Sequence, residues 1–480
     1  MGKPDGFLEF ERKTAPYRPV SERVRDYKEV ELHLCNDDLV TQAARCMDCG
    51  IPYCHALGCP VFNLIPEWND LVYNQQWYEA FWRLESTNNF PEITGKVCPA
   101  PCEQSCTLSI NSAPVTIRQI ESAVIDRAWK EGWVNPLPPS YQTIAHIAVV
   151  GSGPAGLAAA QQLRRAGHQV TVYEKSRKPG GILRYGIPDF KLQKSFIDRR
   201  IAQMEAEGVK FECEVTIGED ISIQYLRRKN HAVILAVGAG EPRDLHVPGR
   251  GYEGIHFAMD YLTQSNKFVS GEIRREEMLW AGGKDVLIIG GGDTGSDCAG
   301  TAIRQGAASV HLLEILPEPQ EWKQPWNPQW PYRPDILRTS SSHQEGCRRK
   351  WAVVTKRFVG HDERVKEAVC ARVQWKRKGA ETVPVEIDGS EFTIKADMVL
   401  LSTGFLHVQH DSILRNIGIV LDKKGNINTD QNYLTSVPGV FAVGDAVSGA
   451  SLVVSAIYSG RRAAECIDRY LKQESMQRNK

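Results

Sequence analysis

The chain has 480 residues, enough for about three domains, and its 42% hydrophobic and 24% charged content is typical of a soluble globular protein. Its 58 basic and 58 acidic residues cancel, so nucleic acid and anionic membranes are not expected as main partners. No run of about 18 apolar residues predicts a transmembrane helix, and the first residues contain no apolar signal region. The crowded cysteines described next indicate a reducing compartment, so we expect a cytoplasmic protein, with an organelle interior as the alternative.

Seven cysteines are crowded near the N-terminus, in the order Cys46-x2-Cys49-x4-Cys54-x4-Cys59-Pro60 and then Cys98-x3-Cys102-x3-Cys106. Such crowding in a long chain without a secretion signal favours metal ligation over disulfides. Two structural zinc sites are one interpretation, because Cys-x2-Cys is also a zinc spacing. The Cys-Pro pairs and the wide gap between the two runs favour iron–sulfur clusters. Two four-ligand sites need one more ligand, either a non-cysteine side chain or Cys35.

The residues around these cysteines predict helices, and a proline-rich linker follows them. Helical patterns cover residues 38–45, 61–95 and 116–133. The stretch 134–141 contains three prolines, which indicates a domain boundary.

The next motif is a short buried strand, Ile147–Val150, followed by a glycine-rich turn and an alanine-rich helix. Gly151 permits the tight turn, Gly153 lets a pyrophosphate approach the backbone, and Gly156 lets the helix lie close to the strand. A second strand ends at Glu174, 23 residues after Gly151, where a carboxylate can bind a ribose diol. Together these features predict a dinucleotide site.

A second unit repeats this pattern later in the chain. Gly290, Gly292 and Gly295 have the same spacing after a buried strand, and another strand ends at Glu314, 24 residues after Gly290. Two units in one chain imply two adenine dinucleotides, of which a flavin beside a nicotinamide is the usual pair.

Other segments are less specific. Glycines in the loop 178–189 either bring the backbone close to a flat ring system or belong to a surface loop. Residues 317–350 are rich in proline and tryptophan (Trp322, Trp326, Trp330), which favours an ordered loop insertion over a lid or a partner contact; His343 there is expected to be structural. Buried strands are expected near 233–240 and 396–405. A strand ending at Gly444-Asp445 offers a carboxylate to a ribityl hydroxyl or to a helix N-terminus.

Five motifs together resemble the small (β) subunit of glutamate synthase: Ala44-Arg-Cys-Met-Asp-Cys49, Asn63-Leu-Ile-Pro-Glu-Trp68, Val97-Cys-Pro-Ala-Pro-Cys102, Gly290-Gly-Gly-Asp-Thr-Gly295 and Phe441-Ala-Val-Gly-Asp445. The resemblance implies an α/β fold, with a helical N-terminal domain holding two [4Fe–4S] clusters followed by two Rossmann-like dinucleotide-binding domains, the second inserted in the first. The implied division is 1–140 for the clusters, 141–255 and 396–480 for FAD, and 256–395 for NAD(P)H.

The resemblance also implies roles for individual residues. One cluster would be held by Cys46, Cys49, Cys54 and Cys106. The other would be held by Cys59, Cys98, Cys102 and Glu121, which stands where dihydropyrimidine dehydrogenase, a member of the wider group, has a glutamine ligand. The expected dinucleotide-binding residues are Gly151, Gly153, Pro154, Ala155, Gly156, Glu174, Lys175, Gly181, Gly290, Gly292, Asp293, Thr294, Gly295, Glu314, Gly404, Gly444 and Asp445.

The implied function is electron input. NAD(P)H would be oxidised on FAD, and the clusters would pass electrons to a large (α) subunit that makes L-glutamate from glutamine and 2-oxoglutarate. Hydride transfer needs orientation and exclusion of water, so we expect no acid–base dyad. Alternatives are a stand-alone oxidoreductase of the same architecture, acting on ferredoxin or a sulfur compound, and a zinc-containing scaffold without activity.

Glu314 predicts NADH rather than NADPH as the electron donor. NADPH needs a cation at the end of this strand to meet its 2′-phosphate, whereas NADH needs an acid for its free diol. No arginine or lysine follows Glu314 until Lys323, nine residues later.

Overall fold

The computed structural model describes residues 2–321, 327–379, 381–410 and 412–478. Within these ranges the chain has the predicted α/β architecture, with a helical N-terminal segment and two parallel sheets flanked by helices. Trp322, Lys323 and Trp326, noted in the sequence, lie outside the described residues. None of the described helices combines the length and the apolar character needed to cross a bilayer.

The N-terminal segment packs short helices around the cysteines. Its buried core contains Trp68, Phe81, Leu84 and Phe90, which explains how short helices are held together without a sheet. A π-helical turn covers Cys54–Gly58, and a 3₁₀ turn covers Thr107–Ile110. The α-helices are α1 Gly6–Glu9, α2 Val20–Arg23, α3 Asn36–Ala44, α4 Ile65–Tyr73, α5 Trp77–Thr87, α6 Pro91–Val97, α7 Pro101–Gln104 and α8 Ile117–Lys130.

The first sheet has the order β16-β4-β1-β2-β3 and is parallel throughout. Strand β4 is buried along its whole length, and β1 in all but its first residue, as expected for strands covered by helices on both faces. The elements are β1 His146–Val150, α9 Pro154–Arg165, β2 Gln169–Glu174, α10 Ile182–Tyr185, α11 Lys194–Glu207, β3 Lys210–Cys213, α12 Ile223–Lys229, β4 Ala232–Leu235, β16 Val440–Ala442, α17 Asp445–Ser448 and α18 Val453–Arg478.

The second sheet has the order β6-β14-β7-β8-β9 and is also parallel. Its elements are β6 Ile255–Phe257, α13 Ala258–Val269, β7 Asp285–Ile289, α14 Asp293–Arg304, β8 Ser309–Leu313, α15 Ser341–Gln344, β9 Arg348–Lys350 and β14 Met398–Leu401. Antiparallel strands β10 Val353–His361, β11 Arg364–Lys378, β12 Glu381–Glu386 and β13 Phe392–Lys395 lie between β9 and β14. The chain passes between the two sheets twice, and the short strands in these connections, β5 Glu241–Pro242 and β15 Phe405–His407, pair with each other. A 3₁₀ turn (Arg275–Glu277) and α16 Ser412–Ile417 complete the described elements.

The two sheets repeat one arrangement, because β4-β1-β2-β3 in the first corresponds to β14-β7-β8-β9 in the second. This confirms the internal repeat inferred from the two glycine motifs. One expected boundary is wrong: β14 pairs with β6 and β7, whereas a division at residue 396 would place it with the FAD segment. A fully apolar strand fits the centre of either sheet, so its composition does not show which one it joins.

The N-terminal segment and the first sheet share one continuous hydrophobic core, which contains Phe90 and Ile93 from the first and Ala158 and Ile457 from the second. A buried ion pair crosses the same interface, where Arg200 donates to both carboxylate oxygens of Glu92, at 2.8 and 2.7 Å. The cysteine-bearing segment is therefore packed firmly against the sheet that carries the first glycine motif.

Candidate functional site

Four cysteines line one cavity in the N-terminal segment. Cys46, Cys49, Cys54 and Cys106 surround it together with apolar side chains from α4 and α8. The Cys49 thiol donates a hydrogen bond to the Thr107 hydroxyl at 3.4 Å, which holds the first cysteine run against the second. The structure thus brings together the four residues expected to hold one cluster. Cys35 is exposed and is not among the residues that line this cavity.

The other cysteines form a second group with Glu121. Cys59, Cys98 and Cys102 each interact electrostatically with the Glu121 carboxylate. Gly58 makes this grouping possible, because a Cβ at that position would lie 2.6 Å from the Cα of Cys102. The two groups are interleaved along the chain, since each draws one cysteine from the run that supplies most of the other.

Two side chains that the sequence analysis did not single out hold Glu121 in place. Thr94 and Asn88 donate hydrogen bonds to its Oε1 atom at 2.5 and 3.1 Å. Asn88 and Thr94 lie before and within α6, and no spacing in the sequence connects them with a carboxylate on α8. Both donors bind Oε1, so these hydrogen bonds fix the carboxylate through one of its two oxygens.

Burial raises the pKa values of side chains in both groups. Burial raises the pKa of Cys46, Cys59 and Cys98 to about 12 and raises the pKa of Cys54, Cys102 and Cys106 as well. Burial also raises the pKa of Glu121 to about 7, against its hydrogen bonds. Adjacent buried thiolates need a compensating metal charge, which iron would supply. Among the described residues, no three His, Cys, Asp or Glu side chains are grouped as a site for a single ion.

The first glycine motif forms an open turn at the carboxyl edge of the first sheet. Gly151 has a φ of +100°, a conformation that favours glycine. A Cβ on Gly153 would meet no atom within 4 Å, so the space before the N-terminus of α9 is open, as a pyrophosphate requires. Pro154, Ala155 and Gly156 form the first turn of that helix.

Two distant segments meet this turn. Gly181 approaches it so closely that an added Cβ would lie 2.8 Å from the Cα of Gly153. A Cβ added to Gly444 would lie 2.8 Å from the Cβ of Ala155. Asp445 follows at the start of α17; burial raises its pKa, and Ser451 donates to its Oδ1 at 2.6 Å. The structure therefore brings Gly181, Gly444 and Asp445 to the first glycine motif. Lys175 is exposed beside it.

The second glycine motif has the same geometry in the second sheet. Gly290 has a φ of +113°, and Gly292 faces open space before α14, whose first residues are Asp293, Thr294 and Gly295. Gly404 follows β14, the neighbour of β7, at the carboxyl edge of this sheet. It occupies the place that Gly238 has after β4 in the first sheet.

The two strand-end carboxylates make equivalent hydrogen bonds. Glu174 accepts from the backbone N–H of Ser152 at 3.2 Å and from that of Ser176 at 2.8 Å. Glu314 accepts from the N–H groups of Gly291 at 2.8 Å and Leu316 at 3.1 Å. The Ser152 hydroxyl also donates to Glu174 and accepts from Gly180, at 2.9 Å from its nitrogen. Sequence reasoning missed Ser152, although it stands at the variable position of the glycine motif.

Comparisons with known proteins agree with this arrangement. Residues 145–460 match the pyridine nucleotide-disulphide oxidoreductase family, and residues 23–133 match the 4Fe-4S cluster domain II of dihydropyrimidine dehydrogenase. The chain is 49% identical to the glutamate synthase [NADPH] small chain of Mycobacterium tuberculosis, over 99% of this chain and 97% of the other. It is 41% identical to the corresponding Bacillus subtilis small chain, over 99% and 100%.

The chain belongs to the glutamate synthase small-chain family. It is also 45% identical to the glutamate synthase [NADH] of Schizosaccharomyces pombe, over 98% of this chain and 23% of that longer protein. Among solved structures, Mycobacterium tuberculosis FprA in complex with NADPH has the same fold over 69% of this chain and 86% of its own, with a TM-score of 0.54 at 18% identity.

The two family matches divide the small chain where its sites lie. The cluster-domain match contains all seven grouped cysteines and Glu121, and the oxidoreductase match contains both glycine motifs with their strand-end carboxylates. One chain of this family therefore carries the cysteine groups and both glycine motifs, and the cysteine groups share a hydrophobic core with the first sheet.

Proposed function

We propose that this chain is the electron-input subunit of a glutamate synthase. It oxidises NADH, or alternatively NADPH, and delivers the electrons to a large subunit that makes L-glutamate from glutamine and 2-oxoglutarate. The observation that carries the proposal is the packing of two cysteine groups against a sheet with an open dinucleotide turn. Small-chain relatives aligned over nearly their whole length support it.

FAD is assigned to the first glycine motif and the nicotinamide nucleotide to the second. Bound FAD would supply the redox chemistry, which accepts a hydride from the reduced nicotinamide and passes electrons one at a time to iron–sulfur clusters. The α9 N-terminus would hold its pyrophosphate, Glu174 its adenosine ribose and Asp445 its ribityl chain. Gly181 lies against this turn, where a side chain would collide with Gly153.

Two [4Fe–4S] clusters are assigned to the two cysteine groups. Cys46, Cys49, Cys54 and Cys106 would hold the first cluster. Cys59, Cys98, Cys102 and Glu121 would hold the second, with Thr94 and Asn88 fixing the carboxylate. The donor chemistry fits, because thiolates are the usual ligands of such clusters and burial protects them from solvent.

NADH is the proposed donor, because Glu314 stands at the end of the second strand of this unit, where a carboxylate favours a free ribose diol and would repel a 2′-phosphate. The names of the relatives include both cofactors, NADPH in the bacterial small chains and NADH in the Schizosaccharomyces protein. In the second domain, Glu314 already accepts two backbone hydrogen bonds, and these hold its charge at the end of the strand.

The large subunit and a cytoplasmic location complete the proposal. The relatives named as small chains support a larger partner subunit. Grouped cysteines kept as metal ligands fit a reducing compartment.

The test is reconstitution. The chain, purified without oxygen, should contain iron, sulfide and FAD, and NADH should bleach its flavin absorbance. Mixed with a large subunit, it should form glutamate from glutamine and 2-oxoglutarate at the expense of NADH. Reduction of ferredoxin or a dye without any glutamate formation would contradict the assignment to glutamate synthase.

A further inference from the structure

A segment between β8 and α15 lies against the peptide that carries Cys106. We call residues 327–340 the strap. Trp330 in the strap donates its indole N–H to the carbonyl oxygens of Ser105 and Cys106, at 3.3 and 3.2 Å. Its ring also packs against Tyr53, with centroids 4.8 Å apart. Tyr53 directly precedes Cys54. Trp330 therefore contacts both the Cys106 carbonyl and the residue next to Cys54.

Further hydrogen bonds fix the strap on this peptide. Ser105 is buried and donates its hydroxyl to the Pro331 carbonyl at 2.7 Å. Asn327, also buried, donates from its side chain to the Gln104 carbonyl at 3.2 Å, and its backbone N–H donates to Ser109. Hydrogen bonds thus run in both directions between the strap and residues 104–109.

The other end of the strap is anchored at the second glycine motif. The hydroxyls of Ser340 and Ser296 are 2.6 Å apart, and Ser296 lies in the first turn of α14. Arg349 donates to the Arg338 carbonyl at 3.0 Å and to the Thr339 hydroxyl at 2.8 Å. The strap therefore links the helix at the second glycine motif to Cys106, which lies more than 200 residues before the strap in the sequence.

We propose that Trp330 is a positioning residue of the first cluster and that it sets the hydrogen bonding at Cys106. This rests on the proposed assignment of Cys46, Cys49, Cys54 and Cys106 to that cluster. The Cys106 carbonyl already accepts the Ser109 N–H at 2.8 Å, and the indole adds a second donor. Positive N–H dipoles beside a cluster favour its more negative, reduced form, and ring contacts exclude water.

The variant Trp330→Phe removes the indole N–H and keeps an aromatic ring. In an EPR-monitored redox titration of the full chain with its cofactors, one cluster signal should move to a lower midpoint potential and the other should stay unchanged. Iron and FAD contents should equal those of the native chain. Trp375→Phe is the matched control, because the Trp375 indole also donates to a carbonyl, that of Ile315, at 2.9 Å. Its clusters should titrate like the native ones.

Unchanged potentials in Trp330→Phe, or the same shift in Trp375→Phe, would overturn the proposal. If Trp330→Phe loses its iron, Ser105→Ala provides the second measurement, because it loosens the strap while the indole stays. It should lower the same midpoint, and a fully iron-loaded Ser105→Ala chain with native potentials would overturn the proposal. A native chain without iron would instead refute the cluster assignment under the proposed function.

Discussion

At the scale of single residues, the two dinucleotide motifs depend on one repeated interaction, a carboxylate that accepts backbone N–H groups from the glycine turn. Glu174 does this in the first motif and Glu314 in the second, each at the end of the second strand of its unit. Each carboxylate therefore fixes the turn, and under the proposed function each also binds the ribose of its nucleotide. The repeated contact explains why the glycines and the acids have to recur together in the sequence.

Replacing these carboxylates should separate the two nucleotide sites. Glu174→Ala removes charge-assisted hydrogen bonds of about 1.5–3 kcal/mol each. The affinity of the chain for FAD should therefore fall roughly tenfold or more. Glu314→Ala should keep its FAD and show a raised KM for the nicotinamide nucleotide. Flavin content after gel filtration and steady-state kinetics measure the two effects. Tight FAD retention in Glu174→Ala would show that the first motif binds the other nucleotide.

We predict that the choice of nicotinamide nucleotide also depends on a single position, Glu314. Glu314→Arg replaces a repelling charge with one that attracts a 2′-phosphate, so kcat/KM with NADPH should rise relative to NADH. The measurement uses both nucleotides with an artificial electron acceptor. A native chain that already prefers NADPH would contradict the prediction and would direct attention to cations supplied by another segment.

At the scale of elements, the cysteine runs are exchanged between two groups. Cys59 belongs to the first run in the sequence but lies with Cys98 and Cys102 in space. Cys106 belongs to the second run but lies with Cys46, Cys49 and Cys54. Short helices and tight turns make the exchange possible, because Gly58 allows its π-helical turn to touch α7. Spacing along the chain left the partners of each cysteine open, and the resemblance divided them.

Single substitutions in each group should remove one cluster at a time. Cys46→Ser should abolish the first cluster and Cys98→Ser the second, so each variant should keep about half of the native iron. Both variants should still transfer hydride from NADH to FAD, because the dinucleotide domains do not contribute these ligands. Iron analysis and EPR of the reduced chains report the result. Full iron in either variant would refute the ligand assignment.

At the scale of the whole molecule, buried ion pairs join the domains. Arg200 on α11 and Glu92 on α6 are almost completely inaccessible, with exposures of 1% and 0%. A second buried set unites Arg23 in the N-terminal segment with Glu345 and Arg304 in the second domain. Such pairs hold the cysteine-bearing segment in one orientation relative to both sheets.

Breaking the first of these pairs should loosen the N-terminal domain. Arg200→Met leaves the Glu92 carboxylate buried without its cation, which costs about 3–5 kcal/mol, and thermal unfolding and limited proteolysis should reveal the loss. Arg364→Met is the control, because the Arg364–Glu253 pair is largely exposed and contributes about 0–1 kcal/mol. The double variant Glu92→Gln with Arg200→Met should recover part of the stability. Equal effects of both single variants would contradict this interpretation.

The sequence by itself determined the features that contiguous residues encode. A buried strand, a glycine turn and a helix follow one another within about 30 residues, so both dinucleotide units and their terminal acids could be located without a structure. The crowding of cysteines indicated metal ligands for the same reason. Each of these inferences depends on local backbone geometry or on residue type, which the chain carries in order.

Only the tertiary structure decided relations between distant segments. The apolar strand Met398–Leu401 suits either sheet, and its pairing with β7 moved an expected boundary. Asn88 and Thr94 reach Glu121 through helix packing. Trp330 contacts Cys106 although more than 200 residues separate them in the sequence. The proline-rich composition around Trp330 does not predict this contact. Such contacts follow from how buried surfaces fit together, and that fit depends on the whole core rather than on any one stretch of it.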